Sequence, residues 1–141
     1  MMGVLCARQY LNQTNAAEDT LRSNINALWN AVDWTWYQNN QNALYWNWSP
    51  DNNWAINVKV QGWDEALITY VLAASSNNHA IDKAVYDNGW AQNGAMKNGN
   101  TFYNITLPLG PNLGGPLFFE QYSFMGIDPN GLSDVYADYA M

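Results

Sequence analysis

Asp64 and Glu65 are adjacent carboxylates in the stretch "QGWDEALITY", directly after a Gly-Trp pair. The apolar run that follows them predicts a helix over residues 64–75. Carboxylates in a first helical turn stabilise that turn by about 0.3–1 kcal/mol. These two, however, flank the apolar stripe of the helix, where Trp63 would help to desolvate an ionised carboxylate and raise its pKa. A raised pKa is what a general acid needs near neutral pH, so capping and catalysis both remain open.

Four aromatic residues lie in the loop before this helix, namely Tyr45, Trp46, Trp48 and Trp54. Indole and phenol rings stack on the apolar face of a pyranose, and amides exchange hydrogen bonds with sugar hydroxyls. The chain is rich in Asn, which suits this chemistry, although a compositional bias would produce the same count. The rings could equally pack the loop onto the domain, so the pattern allows carbohydrate binding without requiring it.

Two later segments add polar candidates. His79 follows the predicted helix, where the helix dipole favours a positive charge, so a structural role is favoured over catalysis. Glu120 lies in the apolar segment "PLFFEQYSF", where an unpaired charge is costly. Its side chain should therefore face either a cavity or the solvent. Gln121 and Tyr122 follow it directly and are candidates for the same surface.

The charge balance excludes several kinds of partner. The chain has 12 acidic and 5 basic residues, with a formal net charge of -7. Scattered basic residues cannot build a patch that follows phosphates, so neither nucleic acid nor an anionic membrane is expected as a partner. A polyanionic substrate would be repelled. A neutral sugar suits a surface whose polarity comes from amides and aromatic hydroxyls.

Cysteine and histidine each occur once. An intrachain disulfide is therefore impossible, and a metal site built on these residue types is not expected, so no cofactor is predicted. Cys6 lies in an apolar helical run and is predicted to be a buried thiol. No apolar stretch reaches the roughly 18 residues of a membrane-spanning helix, and the N-terminus lacks the features of a signal peptide.

Hydrophobic periodicity predicts helices separated by long loops. The clearest helix follows a cap at Thr14 or Asn15 and has the apolar stripe Leu21, Ile25, Leu28, Trp29, Val32 and Trp36. Other helices are predicted over residues 1–11, 64–75 and 81–90, and from Leu132 onward. Extended segments are predicted over residues 44–48 and 54–58 and within "TFYNITLPL".

This order of elements predicts a mostly α fold of helical hairpins, part of an α/α toroid, with short β-hairpins in long loops. The 141 residues correspond to one ordinary domain. Both ends stop inside a helical pattern. We therefore expect a single partial domain over residues 1–141 of a longer protein.

Several segments together resemble the bacterial glucoamylase-like family, which includes the endo-β-1,2-glucanases of glycoside hydrolase family 144. The segments are "LWNAVDWTWY", "LYWNWSPD", "GWDEALITYVLAASSNNHAI" and "GGPLFFEQYSFMGIDPNGLSDVYADY". The resemblance implies an (α/α)6 toroid longer than this chain. It also implies that Glu65 is the catalytic acid, because the Glu of the family's Gly-Trp-Asn-Glu motif maps onto it.

The sequence departs from the family pattern at several positions. Asp64 replaces the Asn of that motif, and Gln121 replaces a His that often precedes Tyr-Ser-Phe. Ala80 replaces the Pro that often follows His79, and Thr35 stands where the family has an Asp. These changes leave the resemblance in fold intact and bear on activity or specificity.

The resemblance, together with the aromatic and amide-rich loops, implies part of a secreted or periplasmic glycoside hydrolase that cleaves a neutral glucan, with a β-1,2-linked glucan expected. Glu65 would protonate the leaving oxygen, and a second carboxylate, not identified, would activate water. The residues expected to line the cleft are Trp63, Asp64, Tyr45, Trp46, Trp48, His79, Glu120, Gln121 and Tyr122. The alternatives are a glycan-binding or scaffold protein without activity, or an inactive truncated fragment.

Overall fold

The computed structural model describes residues 1–139. As predicted, its regular structure is mostly helical, with one small antiparallel sheet. The α-helices in this range are α1 (Met2–Tyr10), α2 (Ala16–Ala31), α3 (Leu67–Ala74) and α4 (Lys83–Val85). Short 3-10 helices occur at Trp36–Gln38, Gln92–Gly94, Leu117–Glu120 and Ser123–Met125. The strands are β1 (Thr101–Phe102) and β2 (Ile105–Thr106).

Helices α1 and α2 pack against each other at one edge of the molecule. Asn15 caps α2 by accepting the Glu18 backbone N–H at 3.0 Å, which confirms one of the two predicted caps. In the predicted stripe of α2, Ile25 and Trp29 are buried, whereas Leu21 and Leu28 are exposed. The prediction that Cys6 is buried is wrong: Cys6 is exposed, and none of the residues of α1 is buried.

The two loops predicted to contain extended segments do contain paired backbone. Isolated bridges join Tyr45 to Lys59 and Ser49 to Asn53, and the Val60 N–H donates to the Leu44 carbonyl, so residues 44–60 form an irregular first hairpin without regular strands. The pair predicted in "TFYNITLPL" is β1 and β2, with Thr101 opposite Thr106. The pair in "TFYNITLPL" is therefore confirmed, whereas the extended segment predicted over residues 54–58 is wrong for residues 54–56, which form a turn closed by the Asn57 N–H donating to the Trp54 carbonyl at 2.9 Å.

The core lies between α3 and the turn that follows α4. The predicted helix over residues 81–90 is α4 followed by a π-helical turn, Tyr86–Trp90, which ends on the fully buried Trp90. Tyr70 of α3 is also buried, and its hydroxyl accepts the Leu44 N–H at 2.9 Å and donates to the Val60 carbonyl at 2.8 Å. Helix α3 is thereby tied to both arms of the first hairpin.

Two helix predictions need correction. The helix predicted over residues 64–75 begins only at Leu67, so Asp64 and Glu65 precede it. The helix predicted from Leu132 is absent through residue 139, where Ser133 instead bridges to Asp138. The reason is local, since the Asp134 carboxylate accepts the backbone N–H groups of the two residues at 136 and 137, at 2.7 and 2.8 Å. This turn competes with the helical ladder for the same donors.

Within residues 1–139, no helix combines the length and the apolar character needed to cross a lipid bilayer.

Candidate active site

Asp64 and Glu65 lie in a turn between Gly62 and the start of α3. The Asp64 carboxylate accepts the backbone N–H of Ala66, two residues on, at 2.7 Å. Ala66 occupies the N-cap position of α3 and provides no capping side chain. The two carboxylates therefore project from a turn ahead of the helix, and first-turn capping, one of the two roles left open by the sequence, does not describe their geometry.

Both carboxylates line one cavity of about 140 Å³. Its other lining residues are Trp46, Val58, Lys59, Val60 and Ala66. Trp46 is 70% exposed, so an indole face is available to a ligand next to two carboxyl groups. The structure thus brings together three of the predicted site residues, Trp46, Asp64 and Glu65, from segments about 20 positions apart in the sequence.

Burial raises the pKa of Asp64 from its ordinary value of 3.8 to about 6, and the nearby Glu65 charge adds to the effect. The hydrogen bond from Ala66 opposes it, because it favours the ionised form. Sequence reasoning expected such a shift at the mouth of the helix and carried the acid role to Glu65. The structure places a carboxyl of acid-like pKa at Asp64, in the same cavity.

Lys59 is a member of this cavity that the sequence did not single out. Its ammonium group lies 5.9 Å from the centroid of the Tyr45 ring. Its ammonium group can donate a hydrogen bond to a sugar hydroxyl bound in this cavity. The bridge between Tyr45 and Lys59 places it there, and that register could not be read from alternation alone.

Two hydrogen bonds join the carboxylate turn to the segment after Pro116. The indole N–H of Trp63 donates to the Glu120 carboxylate at 2.7 Å. The Ser123 hydroxyl donates to the Glu65 carbonyl at 2.8 Å. Sequence reasoning predicted a cavity or the solvent for Glu120 and did not single out Ser123. No local signal could have found Ser123, because its partner lies 58 positions away.

Trp63 and Glu120 also line a second, larger cavity of about 390 Å³, whose walls are mainly Leu, Pro and Gly residues from the loop after β2. Trp63 itself is only 5% exposed, and its ring stacks on Tyr139 with centroids 5.6 Å apart. Its ring faces are therefore largely covered. In the structure Trp63 supports the neighbouring carboxylate turn, and direct contact with substrate stays a prediction.

The remaining aromatic candidates form a cluster beside the cavity. Tyr45 is buried and lies 5.7 Å from Trp54, while Trp48 packs edge-on against Trp36 with centroids 4.9 Å apart. Trp36 is also 4.9 Å from Trp54. The two alternatives left open by the sequence therefore apply to different rings. Tyr45, Trp48 and Trp54 pack within the loop, whereas Trp46 is exposed and free to contact a ligand.

His79 lies at the other end of α3 from Glu65. Its Nδ1 atom is 3.6 Å from the Asp33 carboxylate, and Thr35 lowers the pKa of Asp33 by a side-chain hydrogen bond. The eight residues of α3, about 12 Å of helix, separate the two ends. This placement fits the structural role favoured for His79 from the sequence.

Gln121 and Tyr122 are exposed residues of the Pro116–Phe124 segment, and their contact with substrate stays a prediction. The Tyr122 ring lies 5.4 Å from that of Phe118. Among residues 1–139, no three His, Cys, Asp or Glu side chains converge as a metal site would require.

Comparison with known proteins gives relatives over nearly the whole chain. A curated relative from Parabacteroides distasonis, named exo beta-1,2-glucooligosaccharide sophorohydrolase (non-reducing end), is 42% identical over 97% of the chain. The structure matches an endo-beta-1,2-glucanase from Chitinophaga pinensis, solved with sophorotriose and glucose, at 48% identity and a TM-score of 0.91 over 98% of the chain. It also matches a beta-1,2-glucanase from Parabacteroides distasonis at 41% identity and a TM-score of 0.90 over 98% of the chain.

The chain spans 22% of the length of the curated relative, and 34% and 22% of the two solved chains. The Glycoamylase family model, described as "Putative glucoamylase", matches residues 57–141, which include the carboxylate turn, α3 and the Glu120–Ser123 segment. Because this match covers more than half of the sequence, the chain belongs to the Glycoamylase family.

Proposed function

We propose that this chain forms part of the catalytic domain of a glycoside hydrolase that acts on a β-1,2-linked glucan. The observation that supports it best is the cavity in which Asp64, Glu65 and the exposed Trp46 meet. The names of the relatives, a sophorohydrolase and two beta-1,2-glucanases, supply the substrate class.

In this proposal Glu65 is the acid. Glycoside hydrolysis commonly uses one protonated carboxyl to donate to the leaving oxygen and a second group to activate water or attack the sugar. Asp64, whose pKa is raised to about 6, keeps negative charge low in the cavity at mildly acidic pH.

The toroid and the location also belong to the proposal. The helices α1 to α4 supply part of an (α/α)6 toroid, in line with the lengths of the solved relatives. A periplasmic or extracellular location of the complete protein, expected from the family resemblance, is part of the same proposal. The net charge of -7 suits a neutral substrate.

The test uses the complete product of the reading frame that encodes these residues. Reducing-end release from β-1,2-glucan is compared with release from a panel of other glucans, for the wild type and for Glu65→Gln. The Gln variant keeps the side-chain shape and removes the proton donor, so we expect release to fall by on the order of 10²-fold or more. Glu18→Gln on α2, which removes a partly buried carboxylate that pairs with Arg22, is the matched control.

Release that survives in Glu65→Gln would move the acid to another residue, with Asp64 the next to be tested. No release from any glucan, combined with measurable binding of β-1,2-oligosaccharides, would favour a glycan-binding protein. The substitutions at Asp64, Thr35 and Gln121 relative to the family pattern are the features that keep this second function in the test.

A further inference from the structure

Ser123 holds the backbone of the proposed acid. It is 1% exposed, and its hydroxyl donates to the Glu65 carbonyl at 2.8 Å. The same oxygen accepts the backbone N–H of Ile68 at 3.1 Å. One buried hydroxyl thus uses its donor and one acceptor lone pair on the two ends of a four-residue segment that contains Glu65.

This segment has little other means of fixing its geometry. Residues 64–66 precede α3, so Glu65 has no place in a helical ladder. Ile68 carries one of the N–H groups that a helix start leaves without an internal partner, and Ala66 offers no side chain to satisfy it. A serine 55 positions later supplies the missing acceptor from outside the helix.

The segment that contains Ser123 holds the other flank of the carboxylate turn as well. Glu120, three residues earlier, accepts the Trp63 indole N–H at 2.7 Å. Trp63 and Ile68 lie on either side of Glu65 in the sequence, so Glu120 and Ser123 form hydrogen bonds to the residues before and after the acid. Phe124 adds a ring contact to Trp63, with centroids 6.4 Å apart.

We propose that Ser123 is a positioning residue for Glu65, setting the main-chain geometry from which the acid reaches the leaving oxygen. The inference rests on the proposed function. A displacement of about 1 Å in a catalytic group can cost on the order of 10²-fold in rate. Ser123→Ala removes both hydrogen bonds at once, so we expect kcat to fall roughly 10- to 100-fold while KM changes much less.

The experiment compares three variants of the complete gene product. Ser123→Ala removes the hydroxyl, and Ser123→Thr restores it and should recover most of kcat. Ser76→Ala is the matched control, because Ser76 is also a buried serine, and its hydroxyl accepts the His79 N–H at 3.2 Å beyond the opposite end of α3 from Glu65. Thermal unfolding of all three variants measures the stability that each has lost, so that their kcat values can be compared for similar losses of stability.

A positioning role also predicts non-additivity. If Ser123 acts through Glu65, the double variant Glu65→Gln, Ser123→Ala should be no slower than Glu65→Gln alone. Should Ser123→Ala not fold, Ser123→Cys replaces it, since the thiol keeps the volume and weakens the donor. The same rate loss is then expected.

The proposal is overturned if Ser123→Ala loses stability like Ser76→Ala and no more kcat than that control. It is also overturned if Ser123→Thr is as stable as the wild type but as slow as Ser123→Ala. A double variant whose fold-loss of kcat equals the product of the two single-variant losses overturns it as well. Failure of the proposed function is separate, because it is shown by the absence of release from any glucan in the wild type, whereas the Ser123 test compares rates among variants of an active enzyme.

Discussion

The indole N–H of Trp63 and the carboxylate of Glu120 meet at 2.7 Å, although 57 positions separate them in the sequence. Trp63 is 5% exposed and packs against Tyr139, Trp90 and Phe124, so few acceptors other than Glu120 can reach its N–H. Glu120 satisfies this donor and is itself exposed on its other side. The contact therefore joins the turn that contains both carboxylates to the segment after Pro116.

We expect Glu120→Ala to destabilise the protein by about 1–3 kcal/mol, because it leaves a buried indole N–H without an acceptor. Glu120→Gln keeps an acceptor oxygen of the same reach and should lose less than half of that. Urea unfolding followed by tryptophan fluorescence measures both. Equal losses in the two variants would mean that the charge of Glu120, and not its hydrogen bond to Trp63, provides the stability.

The raised pKa of Asp64 predicts that replacing this residue increases the free energy of unfolding by an amount that depends on pH. The folded state holds the proton up to about pH 6, whereas the ordinary value is 3.8, so the unfolding free energy falls as the pH rises between these values. Asp64→Asn keeps the acceptor for Ala66 and removes the ionisation. It should match the wild type in stability below the ordinary pKa and exceed it at pH 7.5, by on the order of 1 kcal/mol once partial exposure is allowed for.

Urea unfolding at several pH values between 4 and 8 tests this expectation. Asp51→Asn, at an exposed turn carboxylate, is the control for the loss of one negative charge. A stability difference for Asp64→Asn that does not change with pH would show that Asp64 is ionised throughout in the folded protein. Its proposed part in lowering the charge beside Glu65 would then be lost.

The sequence predicted those features that depend on short-range pattern. The cap at Asn15, the β1–β2 pair and the apolar face of α3 each follow from residues within a few positions of one another. The start of α3 was placed three residues early, because its apolar stripe can be counted back through Asp64 although the Asp64 carboxylate bonds to Ala66 and forms a turn.

What the sequence could not supply is the pairing of distant segments. Ser123 and Lys59 join the site through a hydrogen bond and a strand register that no local pattern encodes. The expected helix after Leu132 failed for a related reason, since the Asp134 side chain takes the N–H groups that the helix needed. Side-chain competition for backbone donors thus accounts for the absence of a helix after Leu132 through residue 139.

Gly89 marks a close approach in the core that a single methyl group should disrupt. A Cβ atom at this position would lie 2.4 Å from the Tyr70 hydroxyl oxygen and 2.9 Å from the Cα of Ala43. Gly89→Ala should therefore cost about 1–3 kcal/mol or more, because the backbone of the first hairpin has to move. In Gly3→Ala, on α1, the methyl meets nothing within 4 Å and should stabilise the helix by about 0.5–1 kcal/mol. Thermal unfolding distinguishes the two, and a loss in both would place the effect outside the contact with Tyr70.

Trp46 should contribute to sugar binding more than to stability. Its ring is 70% exposed and borders the cavity that contains Asp64 and Glu65, so a pyranose could stack on it next to the acid. We expect Trp46→Ala to raise KM for β-1,2-glucan roughly tenfold, equivalent to about 1.4 kcal/mol, with kcat and the melting temperature little changed.

Tyr10→Ala is the matched control, because Tyr10 is 85% exposed and ends α1, away from the cavity. Trp46→Phe, which keeps a smaller ring, should fall between Trp46→Ala and the wild type. If KM is unchanged while the melting temperature drops, the indole packs the loop as its neighbours Trp36, Trp48 and Trp54 do. Sugar binding in the cavity beside Glu65 would then not involve stacking on an aromatic ring.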